Sequence, residues 1–346
     1  MSNQAQIPFF FILGRPRTGT TLLQSLFDAH PSIRMPWECQ FVLNLYPKYG
    51  TLEHWNTETL EHFYQDLLQQ WQFNAWNTDH EKLKADLMVC EGKNSYRAVC
   101  QVVYENYISF HPKKEIRLIG DKNHGYTIYT GRLKKLFPDA KFLYILRDYR
   151  DNYESVSRVD FELHVVSLVV YKWKYFYRKA LRASQKYPDS FYFIRYEDFV
   201  ANPLDHFKKI CDFLGVDYVP EVFDFYKMKD KAEEKYPKDI LQKHHQSLFN
   251  PINTSRIGLW RKSMTPRQVR IADLVAGKYA EKAGYEKRYK GFNPWIALQA
   301  VPGVCWARFI YFMTIIIDKF PYRLREKLLS KGPLWLAGVA GKLKKN

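Results

Sequence analysis

Residues 8–23 read PFFFILGRPRTGTTLL, and this stretch says more about the fold than any other part of the chain. Its apolar first part, Pro8–Leu13, has no polar alternation and is typical of a β-strand covered on both faces. A loop with two glycines follows, and an apolar helical pattern begins at Thr20. A strand, a glycine-bearing loop and a helix N-terminus form an anion-binding site, because backbone N–H groups and the helix dipole point to the same place.

The loop differs at one position from the phosphate-binding loop of nucleotide triphosphatases. That loop reads GxxxxGK(S/T), and its lysine reaches the β- and γ-phosphates. Here Thr20 occupies the lysine position, and Arg17 supplies the positive charge instead. The substitution disfavours a kinase or ATPase. It favours a loop that holds one terminal anion with Gly14, Arg17, Thr18, Gly19, Thr20 and Thr21.

Further strand patterns alternate with helical patterns along the chain. The predicted strands are Ile116–Gly120, Lys141–Leu146 and Phe191–Tyr196, and the predicted helices are Thr20–Ala29, Thr127–Phe137, Asp151–Val159, Leu163–Tyr187, Pro203–Leu214 and Pro266–Ala283. This alternation predicts an α/β, P-loop-like fold of three layers, with a central parallel sheet and helices on both faces. Residues 38–110 are mainly helical and aromatic in pattern, which predicts a helical cap inserted between the first two of these strands.

We expect the chain to divide near residue 290, with a basic, partly apolar extension over residues 291–346. Within it Phe309–Ile317 is strongly apolar, but a membrane-spanning helix needs roughly 20 apolar residues. The segment therefore predicts either an element at a membrane interface or a helix packed on the domain 1–290. Lys319–Asn346 carries eight basic residues against one acidic residue, which adds a membrane surface to the expected contacts.

The composition limits the class of protein. Lys and Arg number 53 against 36 Asp and Glu, a net charge of +17, so the chain attracts phosphate-bearing molecules, anionic lipid or nucleic acid. Five scattered cysteines with no CxxC pair give no zinc signal and predict reduced thiols. The start of the chain lacks the pattern of a signal peptide. We therefore expect a cytoplasmic protein, peripheral at the membrane if the extension binds there.

A second phosphate site is predicted after the strand Lys141–Leu146. Arg147 follows this strand, and Ser155 comes eight residues later in a helical pattern. A guanidinium fork and a hydroxyl placed in this way can converge on one phosphate. A structural ion pair of Arg147 with Asp148 or Asp151 is the alternative.

These blocks together resemble the sulfotransferases that use 3′-phosphoadenosine-5′-phosphosulfate (PAPS). Residues 14–23 are similar to the 5′-phosphosulfate loop of that family, and residues 27–38 keep the spacing found in tyrosylprotein sulfotransferases and their bacterial relatives. Residues 122–155, 195–198 and 212–215 match as well, so the resemblance covers residues 7–285 in order. It implies sulfuryl transfer from PAPS to a hydroxyl group, without a metal ion.

The resemblance also implies catalytic roles. It places Glu38 where the tyrosylprotein enzymes have their catalytic base, and makes Lys122 and Arg17 the cations near the leaving phosphate. Since cytosolic sulfotransferases use a histidine, His124 is the competing base.

Donor-binding roles are implied in the same way. Arg147 and Ser155 correspond to the residues that hold the 3′-phosphate of the donor, and Tyr196 to a nucleotide-contacting tyrosine. Arg256 lies in the segment that resembles the late loop closing on the donor. Its register is open, because Leu259 stands where the tyrosylprotein enzymes carry a lysine.

Other departures leave the acceptor open. Gln40 stands where peptide-sulfating members carry an arginine, so a lipid, sterol, phenol or glycan is favoured over protein tyrosine. His244 and His245 stand where those enzymes have a serine pair. Two rival functions remain: a P-loop kinase or nucleotide hydrolase, and a non-enzymatic basic protein that binds a membrane surface or nucleic acid. The sulfotransferase hypothesis expects no nucleic acid partner.

Overall fold

The computed structural model describes residues 6–160, 162–228, 250–322, 324–325 and 328. The chain divides into two compact units that interleave along the sequence. The first unit is formed by residues 1–146 and 180–255, and the second by residues 147–179 and 256–346. The expected boundary near residue 290 lies inside the second unit and stays a prediction.

The first unit contains all the strands of the described chain. They are β1 (Phe9–Gly14), β2 (Ile33–Arg34), β3 (His54–Trp55), β4 (Gly92–Lys93), β5 (Leu118–Lys122), β6 (Lys141–Leu146) and β7 (Phe191–Arg195). Five of them form a parallel sheet in the order β2-β5-β1-β6-β7. This sheet, with helices around it, confirms the predicted α/β fold with a central parallel sheet.

Helices precede and follow the strands of the first unit. Before residue 147 they are α1 (Thr20–Ala29), α2 (Phe41–Tyr49), α3 (Thr57–Leu68), α4 (His80–Met88), α5 (Tyr96–Glu105) and α6 (Thr130–Leu136). The second unit then begins with α7 (Tyr149–Val156) and α8 (Val166–Lys186). After α8 the chain returns to the first unit with α9 (Tyr196–Ala201) and α10 (Pro203–Leu214). The second unit continues with α11 (Trp260–Ser263), α12 (Pro266–Ala276), α13 (Lys278–Lys282) and α14 (Pro294–Ile317).

Aromatic side chains cover both faces of the central strand β1. On one face the ring of Phe9 packs against Phe137, with centroids 4.4 Å apart. On the other face Phe10 meets Phe27 of α1 at 4.8 Å, and Phe27 in turn contacts Phe207 of α10 at 5.2 Å. Every residue of β1 is buried, which explains why its sequence shows no polar alternation.

The region predicted as a helical cap contains α2 to α5 and the short antiparallel pair of β3 and β4. Its interior is aromatic: Trp55 stacks on Tyr49 with ring centroids 5.8 Å apart, and Phe63 meets both rings edge-on. The high aromatic content of this stretch is therefore used to build a core within the cap.

The structure shifts some of the predicted elements. β5 covers Leu118–Lys122 and not Ile116–Gly120, because Asp121 and Lys122 are buried at its end by partners distant in sequence. The predicted helix Pro266–Ala283 is two helices, since Gly277 has a positive φ of 56°. The strand β2 has two residues only, too few to show a pattern. Most of the loop predicted at residues 226–252, with His244 and His245, lies outside the described residues.

The apolar helix of the C-terminal extension is longer than predicted. α14 has 24 residues, whereas the apolar run noted in the sequence was Phe309–Ile317. Pro302 and Gly303 interrupt the pattern in sequence but not the helix. By length and composition alone α14 could cross a membrane, and it is the single helix in the described part of the chain that meets this criterion. The basic residues beyond position 328 lie outside the described residues.

The contact between β1 and its flanking helices predicts a large effect on stability. Phe27 is fully buried between Phe10 and Phe207, so Phe27→Ala should leave a cavity and lower the free energy of unfolding by about 3–5 kcal/mol. Val89 is 73% exposed, and Val89→Ala should change it by less than about 0.5 kcal/mol. Urea titration of both variants measures the difference. Similar midpoints for the two would show that the Phe27 ring is not part of the core.

Candidate active site

The loop after β1 has a backbone that only glycine adopts easily at two positions. Gly14 and Gly19 have φ values of 152° and 100°. A Cβ atom on Gly14 would lie 2.6 Å from the carbonyl oxygen of Ile145, and one on Gly19 would lie 2.6 Å from the ring of Tyr196. The turn from strand to helix is thus closed against β6 on one side and against Tyr196, at the start of α9, on the other.

The remainder of the loop leads into the first turn of α1. The Thr18 hydroxyl donates to the carbonyl of Arg15 at 2.8 Å, and the Gly14 N–H donates to the Thr127 hydroxyl at 3.3 Å. Arg17 has a left-handed φ of 69°. The N-cap of α1 is Gly19, which has no side chain to occupy the first N–H groups, and the first turn carries no acidic residue. The helix dipole therefore acts on whatever anion lies there.

Three side chains meet beside this loop. The Lys122 ammonium forms an ion pair with the Glu38 carboxylate and lies 3.3 Å from the Thr21 hydroxyl of α1. His124 Nε2 is 3.6 Å from Glu38 Oε1, and its Nδ1 is 3.2 Å from the Gly14 carbonyl oxygen. The structure thus brings together Glu38, Lys122 and the loop, and places His124 in the same cluster.

Hydrogen bonds from three directions fix the segment that carries Glu38. The Gln24 amide of α1 donates to the Pro36 carbonyl at 2.6 Å. From the cap, the Trp76 indole donates to the Trp37 carbonyl at 2.9 Å, and from the end of β5 the Asn123 amide donates to the Cys39 carbonyl at 3.3 Å. The carboxylate is therefore held on a rigid support, as preorganised chemistry requires.

Burial controls the charge of this cluster. Lys122 is 1% exposed, so its positive charge needs the adjacent Glu38 carboxylate. Burial lowers the pKa of His124 to about 4, and the attraction of Glu38 only partly opposes this. His124 is thus neutral at pH 7. With Nδ1–H donating to the Gly14 carbonyl, its Nε2 carries a lone pair, so either Glu38 or His124 can accept a proton here.

Asp121 is a buried part of the site to which the sequence analysis gave no role. Its carboxyl group is fully buried and accepts hydrogen bonds from the Tyr104 hydroxyl at 2.6 Å and the Asn123 amide at 2.7 Å. Burial raises the pKa of Asp121 to about 7, against the opposing effect of these hydrogen bonds. Because Asn123 also holds the Cys39 carbonyl, Asp121 supports the segment that carries Glu38. The sequence signal is a polar triplet, residues 121–123, directly after an apolar strand.

Tyr196 and His30 are two further buried residues near α1. Tyr196 begins α9 and is buried with its ring against Gly19, next to the anion loop. His30 is buried, with Nε2 2.9 Å from the Asp217 carbonyl oxygen, and burial lowers its pKa. His30 is therefore a packed residue at the end of α1.

In the second unit, two of the predicted donor-binding residues are in contact. The guanidinium of Arg147 donates to the carbonyl of Arg256 at 2.5 Å, and the Trp173 indole donates to the Arg147 carbonyl at 2.9 Å. Ser155 lies on α7 and is buried, as is Arg147. The structure thus joins the start of this unit to its late loop.

The neighbouring acids Asp148 and Asp151 also bind elsewhere in this unit. The Asp148 carboxylate caps α7 and binds the guanidinium of Arg150 at 2.7 Å. The Asp151 carboxylate accepts from the N–H groups of Gly258 at 2.6 Å and Trp260 at 3.0 Å. Asp151 therefore fixes the late loop on both sides of residue 259, a role that the sequence analysis missed because the loop lies about 100 residues away.

The described residues include no group of three or more His, Cys, Asp or Glu side chains that could hold a metal ion. The expectation that the reaction needs no metal stays a prediction.

Comparisons with known proteins agree with the geometry. A family model described as "Sulfotransferase family" matches residues 8–220. The protein-tyrosine sulfotransferase of Drosophila melanogaster is 26% identical over 285 residues, which cover 79% of this chain and 51% of the fly protein. Protein-tyrosine sulfotransferase A of Caenorhabditis elegans is 23% identical, with coverage of 81% and 67%. The chain thus spans about half to two thirds of the length of these relatives.

A solved structure is similar as well. The sulfotransferase domain from the Synechococcus PCC 7002 olefin synthase superposes with a TM-score of 0.58 at 21% identity, and the match covers 83% of this chain and 98% of that domain. At this identity the likeness concerns the fold alone, and it confirms the predicted P-loop-like α/β architecture.

The predicted cytoplasmic location is wrong. The relatives reported above are protein-tyrosine sulfotransferases, and they contradict a cytoplasmic location. The prediction rested on scattered cysteines and on a missing signal-peptide pattern. Both are absences, and absences of this kind do not locate a protein.

Asp121 generates a prediction about pH. Its pKa is about 7 in the folded chain and 3.8 in the reference state, so between these values the folded state keeps a proton that the unfolded state has lost. Its contribution to stability is therefore lost as the pH rises toward 7. The asparagine of Asp121→Asn cannot ionise, so the free energy of unfolding of this variant should not show this loss. The difference in free energy of unfolding between Asp121→Asn and the unmodified chain should therefore increase by roughly 1–3 kcal/mol from pH 5 to pH 8.

Urea titration of both chains at several pH values measures this difference. His124 changes stability in the opposite direction below its ordinary pKa of 6.5, but it is present in both chains and cancels. Asp189→Asn, at an exposed site, is the matched control. A difference that does not change with pH would mean that Asp121 ionises normally in the folded chain.

Proposed function

Because the chain belongs to the sulfotransferase family, we propose that it transfers a sulfuryl group from PAPS to the hydroxyl group of an acceptor. The observation that carries this proposal is the contact of Lys122 with Glu38 on one side and with Thr21 of the loop helix on the other. One cation then adjoins both the group that accepts a proton and the loop that holds the transferring anion.

The loop is proposed to hold the 5′-phosphosulfate. The first N–H groups of α1 and the Thr20 and Thr21 hydroxyls supply uncharged donors, while Arg17 and Lys122 supply positive charge. The absence of an acidic residue from the first turn of α1 keeps the local potential positive. This arrangement suits a terminal anion and provides no ammonium at the P-loop lysine position.

The chemical step needs a base and a stabilised leaving group. The acceptor hydroxyl gives its proton to Glu38 while its oxygen forms a bond to sulfur, and the bond from sulfur to the bridging oxygen breaks in line. The bridging oxygen leaves on 3′,5′-diphosphoadenosine with the electron pair. Lys122 and Arg17 neutralise the charge that develops there, as cations do in related phosphoryl transfers.

The remaining donor contacts are proposed for the second unit. By resemblance, Arg147 and Ser155 bind the 3′-phosphate, and Arg256 acts from the late loop. The hydrogen bond from Arg147 to the Arg256 carbonyl and the two bonds from the loop to Asp151 support this assignment, because they order the loop around Arg147. Tyr196, packed on Gly19, is proposed to contact the nucleotide from the first unit.

The acceptor is proposed to be a lipid, sterol, phenol or glycan in preference to protein tyrosine. The support is Gln40, which stands where peptide-sulfating relatives carry an arginine. A Cβ atom on Gly125 would lie 3.4 Å from the Gln40 amide oxygen, so this amide lies beside the residue that follows His124. A neutral amide there offers no positive charge for acidic peptides. We further propose that the C-terminal extension contacts a membrane surface and that the reaction uses no metal ion.

Donor binding is tested first. PAPS or 3′,5′-diphosphoadenosine should raise the melting temperature by several degrees in the presence of a chelator, because a ligand at 100 times its Kd stabilises by about 2.7 kcal/mol. Arg147→Ala and Ser155→Ala should remove most of this shift, while Arg117→Ala, on an exposed side chain, should keep it. Equal shifts with ATP and with 3′,5′-diphosphoadenosine would contradict the proposal, since the 3′-phosphate would then contribute nothing.

The base is tested by Glu38→Gln. The amide keeps the shape of the side chain and an oxygen that can accept from Lys122 but loses basicity, so turnover of labelled PAPS with an acceptor extract should fall by roughly 10²–10⁴-fold. The thermal shift with 3′,5′-diphosphoadenosine should survive and shows that the variant folds. Glu115→Gln, at an exposed site, is the control. Full turnover in Glu38→Gln together with its loss in His124→Ala would assign the base to His124.

A further inference from the structure

The long helix α14 has two apolar faces of different character. Three of the residues buried on it are small, Ala300, Gly303 and Ala307, and the fourth is the aromatic Tyr311. A helical period of 3.6 residues places on the opposite side a set of large apolar side chains, all exposed: Trp295, Leu298, Phe309 and Phe312. Trp295 and Phe312 are 72% and 61% exposed. We call this opposite side the outer face.

The buried face docks closely onto α8 of the second unit. A Cβ atom on Gly303 would lie 2.2 Å from the Ser167 hydroxyl oxygen and 2.9 Å from the Leu168 nitrogen, so the helices touch at backbone distance. Farther along, Tyr311 stacks on Tyr175 with centroids 3.9 Å apart and planes within 7°. This face of α14 is therefore permanently occupied by protein.

Polar contacts mark the two edges between these faces. Arg267 of α12 donates to the Gln299 amide oxygen at 2.6 Å. Arg308 donates to the Tyr171 hydroxyl at 3.3 Å and lies over that ring. Helical spacing puts Gln299 and Arg308 on opposite flanks of the buried face, so the rotation of α14 about its axis is fixed and the outer face points away from the unit.

The outer face has the chemistry of a membrane-interface helix. A contiguous exposed set of large apolar side chains marks a binding surface, and Trp and Phe favour the lipid interface. Pro294–Ile317 contains no acidic residue. Residues 286–290 before it carry three basic residues and one acidic residue, and residues 318–346 after it carry eight basic residues and two acidic ones. Anionic headgroups complement this charge.

The docked face also decides the orientation. A helix that spans a bilayer is surrounded by lipid or by other apolar helices, whereas α8, on which α14 is docked, carries Lys172, Lys174 and Arg178. The hydrocarbon core does not accommodate such a neighbour.

We propose that α14 lies in the plane of an anionic membrane surface, with its outer face embedded and its small-residue face clamped to the second unit. This inference rests on the membrane contact proposed above and is independent of the proposed sulfuryl transfer. It makes the protein bind one side of the membrane without crossing it.

Sedimentation with vesicles tests the outer face. The full chain should bind vesicles of phosphatidylcholine with 30 mol% phosphatidylglycerol at low salt, and less at high salt. The double variant Leu298→Glu and Phe312→Glu should lower the bound fraction at least about tenfold, because two embedded apolar side chains are lost. Two glutamates on other exposed sites, Val89→Glu and Leu204→Glu, form the matched control and should bind nearly as the unmodified chain does.

The depth of the single exposed cysteine tests the orientation. Cys305 is exposed and lies at the middle of α14, on the outer face, while the other four cysteines are buried. A maleimide fluorophore on Cys305 should gain fluorescence on vesicle binding and be quenched more by lipids with a nitroxide at acyl carbon 5 than at carbon 12. In a spanning helix this position would lie at the bilayer centre, and the order of quenching would be reversed. A label placed at Val89→Cys in a Cys305→Ser background should not respond.

The outcomes separate the two proposals. Loss of binding in the double variant together with shallow quenching supports the in-plane helix. Binding retained by the double variant, or deeper quenching at carbon 12, overturns the in-plane helix while leaving a membrane contact by another route. Failure of the unmodified chain to bind vesicles at low salt overturns both. Thermal shifts with 3′,5′-diphosphoadenosine, measured on every variant, show that each one folds and report separately on donor binding.

Discussion

The buried ammonium of Lys122 is the constraint on which the site depends. A positive charge that is 1% exposed at the end of a strand is stable only beside a counter-charge, and Glu38 provides it. This need ties the end of β5 to the segment that enters the cap and, through Thr21, to the loop helix. On the other side of the same strand end, Asp121 is equally buried and binds Tyr104 of the cap. Electrostatics and hydrogen bonds thus hold Glu38, Lys122 and the loop helix together.

The local hydrophobic pattern was sufficient to predict the bounds of those strands and helices whose buried residues are mostly apolar. The strand Lys141–Leu146 and the helices Thr20–Ala29 and Pro203–Leu214 have the bounds that their periodicity predicts. The sequence pattern did not predict the bounds of elements in which polar residues are buried by partners distant in the chain. The end of β5 looked like a loop, because Asp121 and Lys122 find their partners in the cap. The apolar run Phe309–Ile317 did not show the first half of α14, in which Gly303 lets the helix approach α8.

Parts of the candidate site could likewise be predicted from the sequence, and other parts could not. The strand, loop and helix that form the anion site follow from residues 8–23, and family spacing brought Glu38 and Lys122 to the same place. The sequence spacing does not predict the hydrogen bonds that hold residues 36–39 in place. These bonds come from Gln24, Trp76 and Asn123, which lie on three separate elements. The pairing of Asp151 with the late loop is likewise a long-range contact. The choice between Glu38 and His124 stays open because the fold places both within 3.6 Å of each other.

The interleaving of the two units along the sequence affects how the sheet can form during translation. β6 pairs with β1 on one side and with β7 on the other, but β7 is translated only after the chain has left to begin the second unit. Until Phe191 emerges, the sheet ends in an apolar strand whose backbone is unpaired, and such edges attract other chains. At about 5–20 residues per second the interval is on the order of 2–10 s. While residues 147–190 are being synthesised, the edge of β6 is therefore the place where the growing sheet is open to pairing with another chain.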